Sequence, residues 1–282
     1  MTVITPTRPR LEISISPPAV AAGPTSVGAA AARERPALVF VHGAFAGAWC
    51  WQEYFVPYFN NKGYMTATFS LRGHGSSEGR ERLDLASLSD YADDLGHVMG
   101  LVDRPVVLIG HSMGGMVVQK VIERDRPAAM VLMASVGPWG LLESSWHMML
   151  ASPGLVQGIS FMQTVGKSFI NPDVFYAGLF ATDVPPERAE RYYQGFQRES
   201  QRVILDMAFW DVPRQPPREP VPTLVMGAAE DAFIPRSMVR RTARYYDAEP
   251  VIVPGMAHAM MLEETWRHAA DPILHWLHEN GL

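Results

Sequence analysis

The 282-residue chain is 48% hydrophobic and 19% charged, with 24 Lys plus Arg against 29 Asp plus Glu, a net charge of -5. That composition fits a globular protein of one large or two small domains and excludes a disordered or fibrous chain. No basic run suggests a nucleic-acid surface, and the lone Cys50 excludes an intrachain disulfide or a cysteine-only zinc site.

Residues 1–35 read as a flexible N-terminal segment. Ile13 to Ala32 carries no charge, but Pro17, Pro18 and Pro24 break any spanning helix. Arg8 and Arg10 are not followed by the unbroken apolar core of a signal peptide. Only Leu11–Ser16 there has strand character. A cytoplasmic location without a membrane span is the expectation.

From Ala37 the punctuation becomes regular. Short apolar or β-rich runs end in glycine or proline turns: the continuously apolar Ala37–Val41, the β-rich Tyr64–Ser70, then Val106–Ile109, Met130–Ala134, Val221–Met226 and Pro250–Val253. Runs apolar on both sides are what strands of a buried parallel sheet look like. Helical patterns separate them, over Leu85–Leu101, Gly114–Arg124, Ser237–Tyr246 and Glu263–His278, with Ser89 and Asp90 near the start of the first. This alternation predicts an α/β fold with a mostly parallel central sheet flanked by helices. From Trp139 to about Pro220 the alternation stops, and a Met- and aromatic-rich stretch shows no strand pattern. It reads as a helical cap or lid, residues 138–220, inserted before the last two strands between core segments 36–137 and 221–282. Long excursions of this kind are usually functional; extra core helices are the alternative.

The sharpest local signal is Gly110-His111-Ser112-Met113-Gly114, a G-x-S-x-G string between a strand and a helix. Such a turn leaves the Ser112 hydroxyl exposed on a strained corner. The following helix N-terminus favours a developing oxyanion. A serine hydroxyl needs a base. Of nine histidines, His258 follows the last strand through a loop at its C-terminal end, the edge where catalytic groups gather. The others sit in glycine turns, helices or the cap. The side chain of His111 is expected to point away from the nucleophile. Asp231 follows the Val221–Met226 run and is the candidate to orient His258, with Glu230 as rival. The order Ser, Asp, His is the one this architecture uses. The oxyanion hole is assigned to the N–H groups of Met113 and Ala44, with Phe45 second to Ala44. Phe45, His111, Trp139 and Trp146 are assigned to substrate binding. No HExxH, Rossmann or phosphate-loop pattern is present, so no metal or cofactor is expected.

HGAFAGAWCW, LRGHGSS, GHSMGG, GAAEDAFIP and PGMAHAMMLE stand in order along the chain. In this the sequence resembles the α/β-hydrolase family over Pro36–Val136 and Val221–Leu277. HGAFAGAW is similar to the small esterase and hydroxynitrile-lyase branch. LRGHGSS with HAMMLE looks more like lysophospholipase or monoacylglycerol-lipase relatives. Ser70 and Ala259 stand where many relatives carry acidic residues. The resemblance implies a serine hydrolase that cleaves a carboxylic ester of a small to medium apolar substrate through a Ser-His-Asp triad and an acyl-enzyme. The same fold also hosts hydroxynitrile lyases, cofactor-free haloperoxidases, carbon–carbon hydrolases and lactonases. A ligand-binding receptor with little turnover is a further alternative. The expected partner is the apolar ester alone, with no nucleic acid, and the sequence leaves room for a homodimer.

Overall fold

The computed structural model describes residues 8–19, 35–165, 172–213, 217 and 219–282. Of the expected N-terminal segment, residues 1–7 and 20–34 lie outside the described residues. So do 166–171, 214–216 and 218 of the expected cap.

Among the described residues, seven strands form one sheet: β1 (Glu12–Ser16), β2 (Ala37–Val41), β3 (Thr66–Ser70), β4 (Val106–His111), β5 (Ala129–Met133), β6 (Thr223–Ala228) and β7 (Pro250–Val253). Their order is β1-β3-β2-β4-β5-β6-β7. All neighbours run parallel except β1, which pairs antiparallel with β3 from Glu12 opposite Ser70 to Ser16 opposite Thr66. The stretch Leu11–Ser16, singled out within the N-terminal segment, therefore supplies an edge strand.

The strand sequences explain the two-layered core. Successive side chains alternate between sheet faces. Leu38, Phe40, Val107 and Ile109 enter one apolar cluster, while Val39, Val41, Val106 and Leu108 enter the other. Both faces are covered, so these runs of β2 and β4 are apolar throughout, whereas β3 alternates Thr66, Thr68 and Ser70 with Ala67 and Phe69 although it too is buried.

Helices α1 (Trp49–Gln52) and α2 (Phe55–Asn61) join β2 to β3. Helix α3 (Leu88–Leu101) precedes β4, and α4 (Met113–Val121) follows it. The start of α3 is set by Ser87 rather than by Ser89. The Ser87 hydroxyl accepts the Asp90 N–H at 3.1 Å, and the Asp90 carboxylate accepts the Ser87 N–H at 2.9 Å. This reciprocal capping pair closes the helix one turn inside the Leu85 boundary suggested by periodicity.

Between β5 and β6 the chain runs through α5 (Leu142–Ala151), α6 (Pro153–Val165), α7 (Pro172–Leu179), α8 (Pro186–Gly195), α9 (Gln201–Leu205) and a π-helical turn, Asp206–Trp210. Helix α10 (Arg236–Tyr245) links β6 to β7, and α11 (Arg267–Glu279) closes the chain. Among the described residues, no helix is long and apolar enough to cross a membrane.

Ser70 shows how β1 contributes. Its hydroxyl donates to Glu12 Oε2 at 2.7 Å and accepts the Ala48 N–H at 2.9 Å. The same Glu12 oxygen accepts the Ser76 N–H at 2.9 Å. Ser70 is thus paired with an acidic side chain from the edge strand.

Candidate active site

Four loops at the C-terminal edge of the sheet build the site, as expected where ligands meet an open α/β sheet. They follow β2 (His42–Ala44), β4 (Ser112), β6 (Asp231) and β7 (His258).

Ser112 sits between β4 and α4 with φ 54° and ψ −118°, a conformation side-chain-bearing residues rarely adopt. Holding it costs about 1–3 kcal/mol. Two glycines make that corner possible. A side chain at Gly114 would meet the Val41 carbonyl and lie 2.5 Å from the His42 carbonyl oxygen. One at Gly43 would lie 2.9 Å from His111 Nδ1 and 3.0 Å from Ser112 Cβ. The β2 loop and the serine corner therefore approach nearly backbone to backbone.

Ser112 Oγ lies 3.0 Å from His258 Nε2, and His258 Nδ1 lies 2.8 Å from Asp231 Oδ2. A carboxylate only accepts, so Nδ1 carries the ring proton and Nε2 is left to accept the serine O–H. The second Asp231 oxygen accepts the N–H groups of Phe233 at 2.8 Å and Ile234 at 2.9 Å. Asp231 and His258 are buried, and the Phe233 ring stacks on the imidazole with centroids 4.4 Å apart. Glu230 is not the partner of His258. It faces outward from the β6 loop and accepts the Met256 N–H at 3.0 Å, tying that loop to the one carrying His258.

Ala44 and Met113 both line the cavity above Ser112. Among the described residues, neither N–H donates to a protein acceptor. Phe45 N–H points instead to Glu199 Oε2, 3.4 Å away. His111 lines the cavity floor, and its Nε2 donates to the His258 carbonyl at 2.9 Å. Burial, then the neighbouring His258, pushes its pKa well below the usual histidine range. His111 is thus a neutral donor that anchors the His258 backbone.

The cavity is about 210 Å³ and reaches from Ser112 up to the helical insertion. Phe45, Leu141, Met148, Ile159, Leu179 and Met207 are among its walls. Among the described residues, no Asp, Glu, Lys or Arg lines it. Helix α5 contributes Ser144, Ser145 and Met148 from one face. Trp146 is on the other face, 61% exposed, outside the lining. Trp139 is outside it too, under the Arg241 guanidinium at 3.7 Å and edge-on to Tyr245. The two tryptophans assigned to substrate binding therefore do not meet the cavity.

Two further groups hold the site that the sequence reading did not single out. Buried Glu263 accepts the Ala257 N–H at 2.9 Å, next to His258, and the Ala181 N–H at 2.7 Å from the insertion. Buried Glu199, which faces the Phe45 N–H, is the other. Among the described residues, no group of three or more His, Cys, Asp or Glu side chains is placed to hold a metal ion.

The sequence pattern of the alpha/beta hydrolase family matches residues 38–270. Methylesterase 3 of Arabidopsis thaliana is 35% identical over 81 residues, which are 28% of this chain and 30% of that protein. Norfluorocurarine synthase 1 of Strychnos nux-vomica is 29% identical over 147 residues, half of this chain and 54% of that one. The chain thus spans about a third to a half of the length of these relatives. Among solved structures, an esterase from Exiguobacterium antarcticum superposes with a TM-score of 0.71 at 16% identity, covering 95% of this chain and 96% of that one. At that identity the likeness is one of fold.

Proposed function

The chain belongs to the alpha/beta hydrolase family, and on that premise we propose that it is a serine hydrolase cleaving carboxylic esters of small to medium apolar substrates. The observation that carries the reading is the unbroken chain of hydrogen bonds from Asp231 through His258 to Ser112 at the floor of an uncharged cavity. The methylesterase among the relatives agrees with it.

In this reading His258 Nε2 takes the proton as Ser112 Oγ attacks the ester carbonyl carbon. The carbonyl oxygen becomes an oxyanion held by the Ala44 and Met113 N–H groups. Asp231 stabilises the imidazolium at 2.8 Å. As the tetrahedral adduct collapses, the carbon–oxygen bond to the alcohol breaks, and the imidazolium protonates the departing oxygen. Water then attacks the acyl-enzyme with His258 again as base, which releases the acid and restores the Ser112 hydroxyl. The 138–220 excursion acts as a cap whose α5 face and Ile159 close over the acyl chain. An apolar wall without a charge favours a neutral acyl group over an anionic one, because an unpaired charge there is costly.

The experiment is a panel of esters graded by acyl length, run beside Ser112→Ala. Turnover of short to medium apolar esters, lost in the variant, is the expected result. Full turnover by Ser112→Ala would defeat the reading. One observation favours a second reading, other chemistry on the same triad: the relative matched over the longer stretch is named a synthase. Inert esters with cleavage of cyanohydrins or diketones would move the assignment there.

A further inference from the structure

Glu199 lies in the extended stretch between α8 and α9 and is fully buried. Its Oε1 accepts the Tyr91 hydroxyl at 2.6 Å and the Ser200 N–H at 2.7 Å. Its Oε2 accepts His74 Nε2 at 3.1 Å and the Phe45 N–H at 3.4 Å. All four partners are donors, the pattern that suits a charged carboxylate. Burial by itself would push the Glu199 pKa up. The His74 charge and hydrogen bond, with the Tyr91 and Ser200 donors, hold it below the usual carboxylate range instead. None of these groups belongs to the triad.

The same stretch grips the loop after β2 at more than one point. Gln197 N–H donates to the Phe45 carbonyl at 2.9 Å, so both backbone polar groups of Phe45 are held by residues 197–199. Trp49 Nε1 donates to the Gly195 carbonyl at 3.1 Å. The Gln197 side chain accepts the Gly75 N–H at 3.0 Å and donates to the Gly73 carbonyl at 2.9 Å, fixing the turn that carries His74. Phe45 itself sits at φ 64°, a left-handed value that a bulky side chain leaves when nothing holds it.

Ala44 is the residue just before. Its N–H belongs to one peptide unit and the Phe45 N–H to the next, joined by the Ala44 torsions. Fixing the second unit on Glu199, and the Phe45 carbonyl on Gln197, limits how far the first can rotate.

We propose that Glu199 is a positioning residue of the oxyanion hole: it is supplied by the helical insertion and holds Phe45 so that the Ala44 N–H faces the oxygen developing above Ser112. The inference rests on the serine-hydrolase reading. In Glu199→Gln an amide replaces the carboxylate, and its NH₂ must face donors on one side or the other. In Glu199→Asp the charge beside His74 remains, but the carboxylate is one carbon too short for Phe45.

The test compares two ketones of equal chain length, one carrying a trifluoromethyl group and one a methyl group. The trifluoromethyl ketone forms a tetrahedral adduct with Ser112 whose oxygen needs the hole, whereas the methyl ketone reports cavity binding. The wild type should bind the trifluoromethyl ketone far more tightly. In Glu199→Gln that preference should fall by about tenfold or more, and kcat with it, because a single oxyanion donor is worth about 10²–10³ in kcat. KM and methyl-ketone affinity should stay within about twofold. If Glu199→Gln does not fold, Glu199→Asp is expected to show the same loss. In the wild type the Phe45 amide should exchange slowly with solvent. An unchanged preference in a folded variant, an equal loss for both ketones, or a freely exchanging Phe45 amide overturns the proposal. A wild type that neither discriminates the ketones nor is labelled at Ser112 by a fluorophosphonate overturns the hydrolase reading, and this inference with it.

Discussion

Asp231→Asn separates orientation from folding, because the surrounding donors decide how the new amide must lie. One Asp231 oxygen accepts two backbone N–H groups, from Phe233 at 2.8 Å and Ile234 at 2.9 Å. The other accepts His258 Nδ1–H at 2.8 Å. Asparagine has one acceptor oxygen, and the two backbone donors claim it. The NH₂ then faces His258, which must present a bare Nδ1 and move its proton to Nε2. There the proton points at Ser112 Oγ, 3.0 Å away, and the ring can no longer accept from it. The imidazolium also loses its anion. At an effective dielectric of about 20, a charge pair at about 4 Å is worth roughly 4 kcal/mol. The same exchange in a serine protease triad lowers kcat about 10⁴-fold, which is roughly 5 kcal/mol at 1.36 kcal/mol per decade. The two figures agree in order, so kcat is expected to fall by about three to four decades. KM should change little, since Asp231 does not line the cavity. Both backbone bonds survive, so stability in urea should stay within about 1.5 kcal/mol, the worth of one hydrogen bond. Steady-state kinetics on a short-chain ester and urea titration measure both. A folded Asp231→Asn protein within about tenfold of wild-type kcat would refute the reasoning.

Three other outcomes follow from the geometry. Gly114→Ala places a methyl group against the Val41 and His42 carbonyls; it should cost about 1–3 kcal/mol as overpacking and lower kcat about a hundredfold by shifting Ser112, and wild-type melting and turnover would contradict this. Burial, then the charge of His74, lowers the His42 pKa to about 3, and its Nε2 accepts the Leu71 N–H at 3.0 Å. Because the folded value lies below the unfolded 6.5, this contribution to stability is complete above about pH 6.5 and declines as pH falls toward 3. About 2 kcal/mol is lost by pH 5, and ring ¹⁵N spectra should still show a neutral His42 there; titration near 6.5 would contradict the packing. Met148 walls the cavity while Trp146 faces away. Met148→Trp should move ester preference toward shorter acyl chains, with Trp146→Ala within about twofold of wild type across the panel, and the reverse pattern would misplace α5.

The strands that bracket the site were readable as short apolar runs, Ala37–Val41 buried on both faces and Pro250–Val253 half-buried at the sheet edge. Ala37–Val41 and Pro250–Val253 agree with the sequence bounds. The serine corner was readable because its glycines answer to backbone clashes rather than to side-chain preference. The separation of Asp231 from Glu230 turns on which acid the Phe233 and Ile234 N–H groups hold inward, a local turn that composition does not encode. Trp146 was misjudged because the apolar side chains of α5 do not mark its cavity side: Leu142, Trp146 and Leu150 point outward, while the cavity face carries Ser144 and Ser145 beside Met148. Glu199 lay in no motif, and Glu263, although it ends the PGMAHAMMLE stretch, was given no role. Each acts on a segment far away in the sequence, and only the folded arrangement brings Glu199 to Phe45 and Glu263 to Ala181.

The central claim is that Ser112 Oγ is a nucleophile activated by His258. Intact-mass analysis after incubation with a small alkyl fluorophosphonate addresses it directly. The account predicts one adduct per chain, mapped by peptide sequencing to Ser112 and absent from both Ser112→Ala and protein whose His258 is replaced by Ala. No adduct on the folded wild type, or an adduct that persists in Ser112→Ala, would contradict it.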